Sequence, residues 1–230
     1  GCSIARFSHD KNYLLVADDC TAGSKAAPTV RLLNLAKSEY QLYYSPHELH
    51  VSYLAVSPLD DHFLSVEESG TVRIFDIRVT GPVAKLITRN QAFSSAQPAQ
   101  VETRAEYTPD GLVYAVCYME HPNVYLKLFD ARKLSSGPFV TKLFSEYDRV
   151  PDCISFSRTD FVSAHRTESN TELRISDAFK LKRTNLIQLP EDASMSAESD
   201  HRMQACFAPH GRYIAAGGFD GTLKIWDSTN

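Results

Sequence analysis

His47-Glu-Leu-His50 is the first segment of the chain whose residue types could hold a metal. The helical zinc motif sets two histidines four positions apart with a glutamate between them as base. Here the spacing is three, in a loop leading into an apolar run, so the two imidazoles read as separate loop residues. The five cysteines, Cys2, Cys20, Cys117, Cys153 and Cys206, are dispersed and include no C-x-x-C pair. That pattern reads as buried free thiols of an intracellular protein, not as a zinc site or a disulfide frame. Gly217, Gly218 and Gly221 surround Asp220, but apolar runs flank them on both sides. Glycine there serves a tight hairpin, whereas a phosphate cradle needs a following helix.

Aspartate recurs at Asp76, Asp130, Asp177 and Asp227, each at the end of an alternating apolar run. Once per repeat, that placement suits capping of a strand-end turn through backbone amides more than a catalytic carboxylate pair. No G-x-S-x-G, Walker-type loop or dinucleotide fingerprint occurs. The expectation is a chain without catalytic residues, metal ligands or cofactor, and hence not an enzyme. Lys180-Leu-Lys182-Arg183 could hold phosphates, although a solvated turn is the preferred interpretation of a run this short. Tyr40, Tyr43 and Tyr44 read as cross-strand packing on an outer strand.

The elements that must position these residues repeat. Five segments share an apolar strand, a turn with Ser or Pro, a second apolar strand, a polar loop and an alternating strand. The closing positions Asn34, Asp76, Asp130, Asp177 and Asp227 lie 42, 54, 47 and 50 residues apart. Inside a repeat the distance is steadier: 19 from Ser57 to Asp76, 20 from Ser157 to Asp177, 19 from Ala208 to Asp227. Insertions therefore fall in loops between units, as in a solenoid or propeller. The closing strand Thr222-Leu-Lys-Ile-Trp-Asp227 puts Leu223 and Ile225 on one side and Lys224 and Trp226 on the other. Middle strands such as 212–218 are continuous apolar runs, fit for burial between sheets. The period of two predicts an all-β chain.

The chain has 230 residues, 24 Lys+Arg against 28 Asp+Glu, a net charge of −4 and 43% hydrophobic residues. This is enough apolar sequence for a sizeable core, and too mild a charge for a general pull toward nucleic acid or anionic membrane. No run of 18 apolar residues predicts a membrane-spanning helix.

Gly218-Phe-Asp-Gly-Thr-Leu-Lys-Ile-Trp226-Asp227 resembles the WD40 family, whose repeats of about 40–45 residues each form one four-stranded propeller blade. Elsewhere Leu33, Phe75, Phe129 or Ser176 stands in place of Trp226. The resemblance implies structural roles for Asp76, Asp130, Asp177, Asp220, Trp226 and Asp227. It also implies a network of a loop His, a turn Asp and the Trp indole. His201 sits about three residues off that pattern. His47 fits, but Ser69 replaces the turn Asp, which predicts a broken network in the second repeat. One propeller domain is expected, with blades near 1-46, 47-98, 99-146, 147-190 and 191-230, five repeats of a seven-bladed ring.

Ser57-Pro-Leu-Asp-Asp-His-Phe-Leu-Ser65, Val124-Tyr-Leu-Lys-Leu-Phe-Asp-Ala-Arg132, Ser136-Gly-Pro-Phe-Val-Thr141 and Leu173-Arg-Ile-Ser-Asp-Ala-Phe-Lys180 sharpen the match. They are similar to the WD-repeat adaptors shared by COMPASS-type histone methyltransferases and a nuclear protein phosphatase 1 complex of transcription termination. That resemblance implies a non-catalytic nuclear scaffold, one copy within a hetero-complex, that binds a methyltransferase subunit or a phosphatase 1 targeting scaffold. It further implies contact with the phosphorylated tail of RNA polymerase II, and neither membrane nor direct nucleic-acid binding. The alternative is a substrate receptor of a ubiquitin ligase or another generic WD40 scaffold. Strand-entry positions offered for partner binding are His50, Arg104, Asp152, Arg202 and Phe219, with the arginines donating charge-assisted hydrogen bonds to a phosphoserine. The Ala/Ser/Pro-rich loops at 21–28, 91–98 and 191–199 are expected to be mobile.

Overall fold

A computed structural model describes residues 2–18, 29–87, 102–120, 122–144, 147, 149–166, 171–189, 203–217 and 221–228. The three Ala/Ser/Pro-rich loops, Cys20, His201, Arg202, Phe219 and Asp220 lie outside the described residues. Among those described, all regular structure is strand.

The chain forms two compact units, Gly1–Asp148 and Arg149–Asn230. The first holds three antiparallel sheets of four strands. They are β1 (Cys2–Phe7), β2 (Tyr13–Asp18), β3 (Val30–Asn34) and β4 (Glu39–Tyr44); then β5 (Val51–Val56), β6 (His62–Glu67), β7 (Thr71–Asp76) and β8 (Pro82–Ile87). The third is β9 (Thr103–Tyr107), β10 (Val113–Glu120), β11 (Asn123–Asp130) and β12 (Val140–Phe144). The second unit holds β13 (Cys153–Phe156), β14 (Asp160–Arg166), β15 (Thr171–Asp177) and β16 (Arg183–Leu189). It ends with a three-stranded sheet of β17 (Ala205–Phe207), β18 (Tyr213–Gly217) and β19 (Leu223–Asp227). In every sheet sequential strands are neighbours, so each is an antiparallel meander.

Within each unit, cores lie between successive sheets. One face of β7 gives Val72 and Ile74 to a cluster with Ala105 and Tyr107 of β9 and Tyr114 and Val116 of β10. Val30 and Leu32 of β3 pack with Val51, Leu54, Phe63 and Phe75. In the second unit Leu173 and Ile175 of β15 pack with Met203, Ala205 and Ile214. Burying each such side chain is worth roughly 1.5–3 kcal/mol.

The same two positions, four and two before the closing residue, are buried in four sheets: Val30 and Leu32, Val72 and Ile74, Leu126 and Leu128, Leu173 and Ile175. In the last sheet their counterparts Leu223 and Ile225 are 69% and 64% exposed. Trp226, on the other face, packs against the second unit's core.

The position occupied by Trp226 is filled in the second and third sheets by cross-strand stacks. Phe63 lies opposite Phe75 with ring centroids 5.1 Å apart, and Tyr114 opposite Phe129 at 4.9 Å. Tyr44 meets Phe63 edge-on at 4.9 Å, and its hydroxyl donates to the Ile77 carbonyl at 2.7 Å. Offset and edge-on geometries of this kind add stability beyond area burial.

A candidate interface on inner strands and turns

β1, β5 and β9 are the first strands of the three sheets in the first unit, and a polar cluster joins them. The Tyr53 ring has the guanidinium carbons of Arg6 and Arg104 each 5.9 Å from its centroid. Its hydroxyl donates to Glu106 Oε2 at 3.4 Å. Arg104 and Glu106 are two apart on β9 and so share a face. Burial pushes the Glu106 carboxyl up to about 7, opposed by the Tyr107 amide, Arg6 and Tyr53.

Arg104 is only 2% exposed, and its Nη1 donates to the Thr103 carbonyl at 2.9 Å. Cys117 lies opposite it in register, and burial raises that thiol to about 12 despite the nearby guanidinium. Arg104, offered by the sequence as a strand-entry position for partner binding, is thus an interior residue of β9 in this structure. Asp152 is also interior, 8% exposed. Its Oδ2 accepts the Met203 amide at 3.2 Å and lies 3.5 Å from Arg166 Nη2, so it ties β14 to the segment before β17. His50 keeps partial exposure, with Nδ1 3.3 Å from Glu68 Oε1 and its carbonyl accepting the Glu68 amide. His50 and Arg104 belong to the first unit, Asp152 to the second.

The two histidines of the HExH-like segment have different partners. His47 is buried, its Nδ1 3.2 Å from the Tyr44 carbonyl and its Nε2 3.0 Å from Ser65 Oγ. It stacks on Phe75 at 5.5 Å. Desolvation, then the charge of Arg73, lowers its pKa to about 4 against the pull of the Tyr44 carbonyl. Beside it, Arg73 and Glu67 form an interior ion pair, and Glu67 Oε2 also accepts the Ser69 hydroxyl at 3.3 Å. The second unit repeats the theme: His165 Nε2 sits 2.9 Å from Ser163 Oγ, and desolvation and Arg174 lower its pKa to about 3. Both Ser–His pairs are interior, out of reach of a substrate.

At the opposite strand ends the closing acids hold the turns. Asp76 accepts the Arg78 amide at 2.9 Å and its guanidinium at 2.8 and 2.5 Å. Asp130 does the same for Arg132 at 3.0, 2.9 and 3.0 Å. Asp177 accepts the Phe179 and Lys180 amides at 2.8 and 2.7 Å, and Asp227 accepts Arg212 Nε at 3.0 Å.

Residues 197–227 match the family described as WD domain, G-beta repeat, on the segment that carries the Trp226-Asp227 ending. The last repeat is thus of the WD40 type, and the five sheets share its propeller-type fold. It is 27% identical over 99% of its length to WD repeat-containing protein 82 of Drosophila melanogaster, 64% of which it covers. Protein ANTHESIS POMOTING FACTOR 1 of Arabidopsis thaliana is 29% identical over 97% of the chain, with 61% of that relative covered. COMPASS component SWD2 of Saccharomyces cerevisiae is 26% identical over 100% of the chain, with 64% covered. The chain thus spans a little under two thirds of the length of these curated relatives.

In the second repeat other partners stand in place of the His–Asp–Trp network that the resemblance implies. Ser69 turns to Glu67 and Thr71, yet the histidine retains a partner in Ser65. The Glu67–Arg73 pair fills the space beyond it. Phe75 supplies the ring face on which His47 stacks.

Proposed function

We propose that the chain belongs to a non-catalytic WD40 adaptor of a nuclear chromatin complex. The observation that carries this is similarity along the whole chain to COMPASS component SWD2. Blades of this kind serve as rigid platforms, and among the described residues the outer strands β4, β8, β12 and β16 each leave one edge without a strand neighbour. Extended peptides pair with such edges through backbone hydrogen bonds and gain selectivity from side-chain pockets. The partners in this proposal are a methyltransferase subunit or a phosphatase 1 targeting scaffold, with the phosphorylated tail of RNA polymerase II as a further contact. It supports the adaptor role that the Ser–His pairs are buried and structurally engaged, which leaves them no catalytic reach.

Affinity purification of the full-length protein from nuclear extract, with mass spectrometry of its partners, tests it. Recovery of a methyltransferase or phosphatase 1 scaffold is the expected result. Recovery of a cullin adaptor without chromatin factors would overturn it in favour of a ligase receptor.

A further inference from the structure

The turn between β15 and β16 departs from its counterparts in the second and third sheets. There, the residue two after the closing acid is Arg78 or Arg132, and each guanidinium folds back onto Asp76 or Asp130. In the β15–β16 turn that position is Phe179, which projects into solvent with 78% exposure. Asp177 is held instead by the Phe179 and Lys180 amides alone. Leu181 takes a left-handed backbone, φ 50°, and is buried to 3% exposure, while its amide bonds the Asp177 carbonyl at 2.9 Å. With Leu181 anchored inward, its neighbours Lys180, Lys182 and Arg183 stand outward, all exposed.

A second turn completes the patch. The Ala178 amide donates to the Thr159 carbonyl at 2.8 Å, which brings exposed Arg158 alongside. Among the described residues Arg158, Lys180, Lys182 and Arg183 make no ion pair. The nearby carboxylates are engaged locally, Asp177 by amides and Asp160 by the Thr159 hydroxyl at 2.6 Å. Four cations against two carboxylates leave an excess of about two positive charges on a chain whose net charge is −4.

We infer that this surface, Arg158 with Phe179, Lys180, Lys182 and Arg183, docks an acidic peptide segment that carries an apolar side chain among its carboxylates. The cations meet the carboxylates, and the apolar side chain covers the Phe179 ring. A single-stranded nucleic acid fits less well, because its bases need stacking faces in succession and only one ring is offered. This inference does not rest on the adaptor proposal: a flat peptide titration leaves co-purification standing, and absent chromatin partners leave the titration unaffected.

The test is fluorescence anisotropy of the full chain with a labelled synthetic peptide, alternating Glu and Asp around one central Leu, at low salt. Phe179→Ala is expected to weaken binding about tenfold, and Lys180→Glu with Lys182→Glu to abolish it. All three side chains are exposed, so thermal midpoints should hold. Replacing the central Leu by Ala should weaken the wild type and add nothing in Phe179→Ala. Equal affinity across the variants, no binding at all, or tighter binding of an oligouridylate of equal charge regardless of Phe179 would each overturn the inference.

Discussion

Arg73 and Glu67 meet as an ion pair from adjacent strands of the second blade, with no more than 2% of either side chain exposed. Ser65 lies opposite Arg73 in register, so Glu67 reaches the guanidinium from two residues further along β6. A half-removed pair leaves an uncompensated interior charge, which costs about 3–5 kcal/mol, whereas joint replacement by apolar groups is close to neutral. Arg73→Met should therefore lower stability by about 3–5 kcal/mol. Arg73→Met with Glu67→Leu should recover at least half of that in urea unfolding.

The pH dependence of folding follows from three desolvated groups of opposite sign, two buried histidines and the partly exposed Glu106. His47 and His165 have folded pKa values near 4 and 3, below the ordinary 6.5, so below pH 6.5 the unfolded chain takes up protons that the folded chain refuses. Each then removes stability by about 1.4 kcal/mol per pH unit as the pH falls. Glu106, raised to about 7 from 4.5, acts the other way: its folded form holds a proton the unfolded chain has lost, so its contribution grows as the pH falls from 7 to 4.5. From pH 6.5 to 4.5 the three sum to a net loss of about 1.4 kcal/mol per unit. Glu106→Gln should roughly double that slope in denaturant unfolding, and an unchanged slope would contradict the assignment.

Gly111 has φ +68°, and a Cβ built there would lie 2.5 Å from Leu59 Cβ in the neighbouring blade's turn. Both strain and collision oppose a side chain. Gly111→Ala is expected to cost more than about 1 kcal/mol. Adding Leu59→Gly should return the collision part but not the backbone part, a split that a double-mutant cycle of thermal midpoints reads directly.

Arg104→Glu should act through the fold and not through a ligand. It would set a second carboxylate beside Glu106 on the interior face of β9, at a cost of about 3 kcal/mol or more. Arg183→Glu, on an exposed turn, should stay within about 0.5 kcal/mol of wild type. An Arg104→Glu chain with the wild-type midpoint would return Arg104 to the candidate surface.

The strand phase was legible in the sequence because the apolar alternation and the closing acids recur together. Thr71–Asp76 and Thr171–Asp177 emerge as third strands of their sheets. Alternation also separates Leu223 and Ile225 from Trp226, but a period of two says nothing about which face another sheet covers. Arg104 was chosen for its place at a strand entry, and nothing in Thr-Arg-Ala-Glu-Tyr tells that its side chain is 2% exposed. The His47–Ser65 bond escaped notice because a serine inside an apolar strand has no distinctive spacing. Phe179 passed as part of a family motif, and only the turn geometry shows that it occupies the place where Arg78 and Arg132 fold back.

Each compact unit also carries its own buried thiol, Cys117 in the first and Cys153 in the second. Cys153 Sγ accepts the Ala205 amide at 3.0 Å, so it is stitched between β13 and β17. With exposed Cys2 and Cys206 replaced, and Cys20 with them, an alkylating reagent could reach these two sulfurs only when their surroundings open. The rates of modification at Cys117 and Cys153 would then act as separate clocks, timing how often each half of the chain breathes while the native state persists.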